Sequence, residues 1–256
     1  MKTTLARRQF LSLTAGAVAG ALLEGRAASA ATTDLRVQAI AFDAFPVFDP
    51  RPVFAQAEQL FPGRGGELSN EWRTRQFEYT WLRVAAGHYA DFWHITQDAL
   101  EFAATKLSLE LSPEKRKKLM SAYLELKPWP DVPAALTSLK QSGFRLAFLS
   151  NFTRAMLDAN IESAGLAGRF EQIISTDQAK TYKPDPRAYQ LGVDSLKLRR
   201  EEILFVAFAG WDAAGAKLFG YPTFWVNRQQ LPTERLDATP DGVGESFTQL
   251  LQFLKV

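Results

Sequence analysis

Five short β-rich runs constrain this chain more than any other feature: VQAIAFDA (37–44), FRLAFLSN (144–151), FEQIIS (170–175), EILFVAFAG (202–210) and YPTFWVN (221–227). Amphipathic helical stretches separate the last four, and that alternation predicts a parallel sheet with helices on both faces. Between the first two runs, residues 45–143 carry almost no strand signal. PVFAQAEQLF (52–61), LSNEWRTRQFEYTWLRVAAG (68–87), ADFWHITQDALEFAATKL (90–107) and SPEKRKKLMSAYLEL (112–126) read instead as helices. The second is expected to start near Ser69-Asn70-Glu71 and the fourth at Ser112-Pro113-Glu114. A helical insertion after the first strand would lie over that strand's carboxyl end, where open α/β sheets place their ligands. WPDVP (129–133) marks the return to the sheet.

The first thirty residues are expected to stand apart from the fold. ARRQFLSLTAGAVAGALLEGRAASA (6–30) combines an Arg pair, a modest apolar run and a small-residue cleavage site at Ala28-Ser29-Ala30. Arg7-Arg8 followed by Gln9-Phe10-Leu11 fits a twin-arginine signal, and the apolar run is short for a membrane span. The reading is export to the periplasm or beyond, with no stable membrane insertion after cleavage. Lys2, Arg7, Arg8 and Arg26 against Glu24 give this segment a charge of +3, so the chain's formal +2 becomes −1 without it. No basic footprint for nucleic acid then remains. The chain has no cysteine and two histidines, His88 and His94, which excludes thiolate chemistry, disulfides and histidine-rich metal centres. The expected division is a signal at 1–30, a core at 31–47 and 129–256, and a helical cap at 48–128.

Polar residues stand at the strand ends. Asp43 closes the first run, Ser150-Asn151 the second, Lys183 in TYKPDPRAY follows the third, and Asp212 follows the fourth. Each alone reads as a turn former or helix cap. Parallel strands, however, would bring all of them to one edge of the sheet.

That order resembles the haloacid dehalogenase superfamily, and within it the (S)-2-haloacid dehalogenases, over essentially the whole chain after the signal. AFDAF looks like the nucleophile strand, WRTRQFEYTWLR and YADFW like cap helices, and LSN, YKPDPRAY and GWDAAGAK complete the pattern. The implied fold is α/β: a Rossmann-like parallel sheet core, helices on both faces, and an inserted helical cap domain.

The implied reaction is displacement of halide from C2 of a short 2-haloacid by Asp43, with inversion, to leave an ester that water then hydrolyses. A carboxylate nucleophile must be ionised, desolvated and held in line. A cation beside it, Lys183, offsets the cost of holding its charge away from water. By resemblance Arg73 and Asn151 receive the halide with Phe92 closing the pocket, while Ser150 and nearby backbone N–H groups hold the substrate carboxylate. Phe45, Phe77 and Trp211 wall the carbon chain; Asp212 orients Lys183 and assists the hydrolytic water, with Tyr189 beside it in the substrate-binding set. No metal or other cofactor is implied, and a homodimer is expected. By spacing alone, Arg73 reads as a surface residue of a charged helix, and Phe77, Phe92 and Trp211 read equally as packing.

Five positions depart from the family pattern. Phe45, Pro46 and Val47 follow the nucleophile where Tyr, Gly and Thr are usual, in a loop one residue shorter. Pro46 removes an N–H and pushes Phe45 toward extended backbone. Ala207 and Ala209 stand where Ser and Asn are common; a lost catalytic hydrogen bond can cost about 3 kcal/mol, roughly a hundredfold in rate. Two rival readings stay open. One is a metal-dependent phosphatase of the same superfamily, which Phe45 opposes because those enzymes carry a second Asp there. The other is a non-catalytic relative that binds small carboxylates or halides.

Overall fold

The computed structural model describes residues 37–256, so the expected signal at 1–30 lies outside the described residues. At the centre of a six-stranded sheet runs β1 (Ala39–Phe42), every residue of which is buried. β4 (Arg145–Ser150) and β6 (Ile203–Ala207) pair with β1 on its two sides. β5 (Gln172–Ser175) continues outward from β4, while β7 (Thr223–Val226) and a strand absent from the sequence expectation, β8 (Gly242–Gly244), continue from β6. All these pairings are parallel. The strand order therefore reverses at β1, and open α/β sheets form a ligand crevice at the carboxyl ends beside such a reversal.

Alternation along β1 divides the core in two. Ile40 and Phe42 face a cluster with Phe48, Leu136, Phe148 and Phe247, from α6 (Val132–Gln141) and α10 (Phe247–Leu254) among others. Ala39 and Ala41 face the opposite cluster with Leu149, Phe205 and Tyr221, beneath α8 (Pro186–Leu196) and α9 (Gly210–Phe219). Each large apolar side chain buried in this way stabilises the fold by about 1.5–3 kcal/mol.

β1 ends at Phe42, short of the expected Ala44, because Asp43 caps a single helical turn, α1 (Ala44–Val47). Phe45 thus lies in a helical turn and not in the extended backbone expected before Pro46. The chain then passes through β2 (Phe48–Asp49), which pairs antiparallel with β3 (Lys127–Pro128) where it returns. Between this crossing pair lie α2 (Arg51–Leu60), α3 (Gly65–Ala85), α4 (Phe92–Lys106) and α5 (Pro113–Ala122). α3 starts one turn before the expected Ser69, and Ser69 is buried within it. α4 and α5 have side-chain caps, with Asp91 accepting from His94 N–H and Ser112 from Lys115 N–H.

Candidate active site

The strand ends converge as parallel pairing requires. Asp43 follows β1, Ser150 ends β4 with Asn151 next, Lys183 precedes α8, and Asp212 lies in the first turn of α9. Lys183 is 1% exposed, and its Nζ donates to Asp43 Oδ1 at 2.8 Å and to Asp212 Oδ2 at 2.6 Å. One buried cation thus bridges two buried carboxylates. Burial opposes the Lys183 charge, but Asp212 and Asp43 outweigh it and hold the ammonium pKa above its ordinary value. Burial pushes the Asp212 carboxyl up to about 6, against Lys183, which favours its ionised form, and with the Asp43 charge, which disfavours it.

The two oxygens of Asp43 are unequally engaged. Oδ1 accepts from Lys183 and, at 3.2 Å, from the Ser150 hydroxyl. Among the described residues Oδ2 has only a long contact from the Phe45 N–H at 3.3 Å. Asn151 Oδ1 accepts from the Lys183 backbone N–H at 3.0 Å and from Thr176 Oγ1 at 3.3 Å, which turns the amide NH₂ away from those partners.

A cavity of about 220 Å³ opens onto these groups, and α3 and α4 close it from above. Of the expected site residues, all but Tyr189 line it: Asp43, Phe45, Arg73, Phe77, Phe92, Ser150, Asn151, Lys183, Trp211 and Asp212. Arg73 lies with its guanidinium carbon 5.9 Å from the Phe54 ring centroid, and no carboxylate among the described residues pairs with it. Phe77 meets Trp211 edge-on at 5.5 Å, and Phe92 packs on Phe152 at 5.5 Å. These contacts join the cap wall to the core wall.

Two positions differ from expectation. Tyr189 is fully buried and does not reach the cavity. α8 carries it under the sheet against Phe205, and its hydroxyl donates to Asp212 Oδ1 at 2.7 Å. It therefore supports Asp212 from beneath the cavity. The Ser150 hydroxyl donates to Asp43 and accepts from Phe152 N–H, so here it faces Asp43.

The sequence reading missed Gln76 and Tyr123, both buried in the cavity wall. Gln76 Nε2 donates to Thr96 at 2.6 Å, and its Oε1 has no hydrogen-bond partner. Helical spacing carried the signal for Gln76, since it stands three residues after Arg73 and shares its face. Tyr123 carried none, lying just beyond α5.

The donor set does not suit a divalent cation, which needs several oxygen ligands. Lys183 Nζ already lies between the two carboxylates, Phe45 has no donor atom, and no three His, Asp or Glu side chains gather among the described residues.

Comparison with known proteins agrees with this geometry. Residues 19–220 match the haloacid dehalogenase-like hydrolase family. The chain is 43% identical to an (S)-2-haloacid dehalogenase of Pseudomonas sp. strain YL over 80% of its own length and 89% of the relative's. It is 40% identical to haloacetate dehalogenase H-2 of Moraxella sp. strain B, over 80% and 92%. The solved L-2-haloacid dehalogenase of Xanthobacter autotrophicus with chloropropionic acid covalently bound superposes with a TM-score of 0.79 at 32% identity, over 86% of this chain and 98% of that one. With its sheet order, its bridged carboxylates and these matches all in agreement, the chain belongs to the haloacid dehalogenase-like hydrolase family.

Proposed function

We propose that this protein hydrolyses short (S)-2-haloacids to (R)-2-hydroxyacids and halide through an ester on Asp43. The observation that carries the reading is the asymmetry of that carboxylate: Lys183 and Ser150 hold Oδ1, while Oδ2 keeps lone pairs free beside a cavity that also holds an unpaired arginine. The relatives' substrates and the covalently bound chloropropionic acid support the same chemistry.

In the first step Asp43 Oδ2 attacks C2 from the side opposite the halogen. The C–O bond forms as the C–X bond breaks, the halide leaves with the electron pair, and C2 inverts. Arg73 and the Asn151 NH₂ supply donors where the negative charge grows. Phe45, Phe77, Phe92 and Trp211 keep water from the reacting carbon. In the second step water attacks Cγ of the ester and passes one proton to Asp212. The bond from Cγ to the original Asp43 oxygen breaks, and that oxygen leaves with the hydroxyacid and takes the proton back from Asp212. The second water proton is released to solvent as Asp43 returns to its carboxylate. Lys183 stays charged throughout and steadies both carboxylates.

A single turnover on (S)-2-chloropropionate in ¹⁸O-water tests this. Label should enter Asp43 and stay out of the product; label found only in the product means that water attacks C2 directly. Asp43→Asn should slow halide release by more than about a thousandfold. Small carboxylates or halides that raise the melting temperature without any halide release would support the non-catalytic binding relative.

The twin-arginine segment supports export of the folded enzyme to the periplasm or beyond, and Arg7→Lys with Arg8→Lys should hold it in the cytoplasm. Leu82 on α3 and Phe102 on α4 expose apolar area that a homodimer would cover, so sedimentation should give twice the chain mass.

A further inference from the structure

We propose that Trp129 is a positioning residue for the nucleophile, acting through the shortened loop that follows Asp43, with Arg228 as its support. The inference rests on the reading of Asp43 as the ester-forming group. α1 has only four residues, so the carbonyls of its last residues have no partner within the turn. Ala44 O accepts from Phe48 N–H. The next three carbonyls take donors from far along the chain. Phe45 O accepts from Trp129 Nε1 at 2.9 Å, Val47 O from Trp129 N at 3.0 Å, and Pro46 O lies 3.5 Å from Arg228 Nη2.

The tether is itself braced. The Arg51 and Arg228 guanidinium carbons lie over the Trp129 ring, 4.6 and 4.4 Å from its centroid. Asp131 pairs with Arg228 Nη2 at 2.9 Å and also accepts from the Phe247 N–H at 2.7 Å. One residue thus links cap and nucleophile, because Trp129 directly follows β3, the strand that returns from the cap.

The path to the chemistry is short. The residue whose carbonyl Trp129 holds is the one whose N–H touches Asp43 Oδ2. Fixing Phe45 at both ends therefore sets where the attacking oxygen points. Pro46 has no N–H to help, and the loop lacks the hydroxyl that Val47 replaces. In-line attack tolerates little error, since a misplacement of about 1 Å can cost roughly a hundredfold.

The test replaces Trp129 site-specifically with β-(3-benzothienyl)alanine, which keeps the ring and removes only the N–H. Trp129→Phe serves as a second variant. Rapid-quench measurement on (S)-2-bromopropionate follows two rates, the halide burst and the decay of the aspartyl ester. The expected result is a burst slowed about tenfold or more, with ester decay within about twofold of the unaltered protein, since Lys183, Asp212 and Tyr189 keep their contacts. A burst at the unaltered rate, or both rates falling in proportion to a lowered melting temperature, would reduce Trp129 to a packing residue. If the unaltered protein, in a single turnover in ¹⁸O-water, puts the label only into the product and none into Asp43, the ester reading and this inference fall together.

Discussion

Tyr189 and Asp212 form the pair whose titration decides how the site responds to pH. In the proposed mechanism Asp212 must be ionised to take the proton of the hydrolytic water, and its pKa of about 6 would place the acid limb of ester hydrolysis there. The Tyr189 hydroxyl favours the ionised form, and burial together with Asp212 raises the phenol's own pKa, so it remains a donor. Tyr189→Phe removes one hydrogen bond worth about 1–1.5 kcal/mol and should move the acid limb up by roughly one pH unit. A pH profile of single-turnover ester decay measures this, and an unmoved limb would separate Asp212 from the proton transfer. Stability follows the same sign. The folded protein binds the Asp212 proton more tightly than the unfolded chain does, so the group's contribution is fully present below the ordinary carboxylate pKa and is lost as pH rises through about 6. Asp212→Asn should flatten melting temperature against pH between 4 and 7, and an unchanged slope would assign that dependence elsewhere.

At the scale of elements, the start of α9 is a joint of the site that lacks a side-chain cap. Ala209 occupies its N-cap without a side-chain hydrogen bond, although Asp212 stands in the first turn and needs that turn held still. Ala209→Asn would cap the exposed N–H groups and should raise stability by about 1 kcal/mol. If loss of this polar group slows the second step, the same change should also speed ester decay severalfold and leave the halide burst alone. Stopped-flow halide release followed by ester quantitation separates the two, and a faster burst with unchanged decay would contradict it. The same joint shows how far sequence reasoning reaches. Asp43, Lys183 and Asp212 were legible because parallel strands bring their carboxyl ends to one edge, a consequence of topology alone. The turn α1 was not legible, because propensity before Pro46 argues for extended backbone and the donors that hold the turn come from Trp129 and Arg228. The early start of α3 was hidden because its N-cap, Arg64, makes no side-chain cap, whereas Ser69 looked like one. Tyr189 was placed near the site but at the wrong depth, since spacing cannot tell the crevice from the layer beneath it.

Over the whole molecule, the cap also meets the core through a polar contact separate from the β2–β3 crossing. Tyr89 and Ala90 lie between α3 and α4; Asp177 and Tyr182 lie between β5 and α8. Tyr89 donates to Asp177 Oδ1 at 2.8 Å, Tyr182 donates to the Ala90 carbonyl, and the two rings stack at 5.3 Å. Ala90 stands two residues before Phe92 in the cavity wall, and Tyr182 is next to Lys183. The contact therefore fastens the cap wall of the cavity to the base of the bridging cation. Tyr182→Phe keeps the ring stack and removes one hydrogen bond of about 1 kcal/mol, enough to raise the population of an open cap roughly fivefold. Amide exchange in α4 should then quicken by that factor while β1, β4 and β6 keep their protection, because local openings draw on local contacts. KM should rise with the open population, and the acid limb should stay near pH 6, since Asp212 keeps both of its partners. Uniform acceleration of exchange through cap and sheet alike would mean that Tyr182 supports global stability and does not fasten the cap.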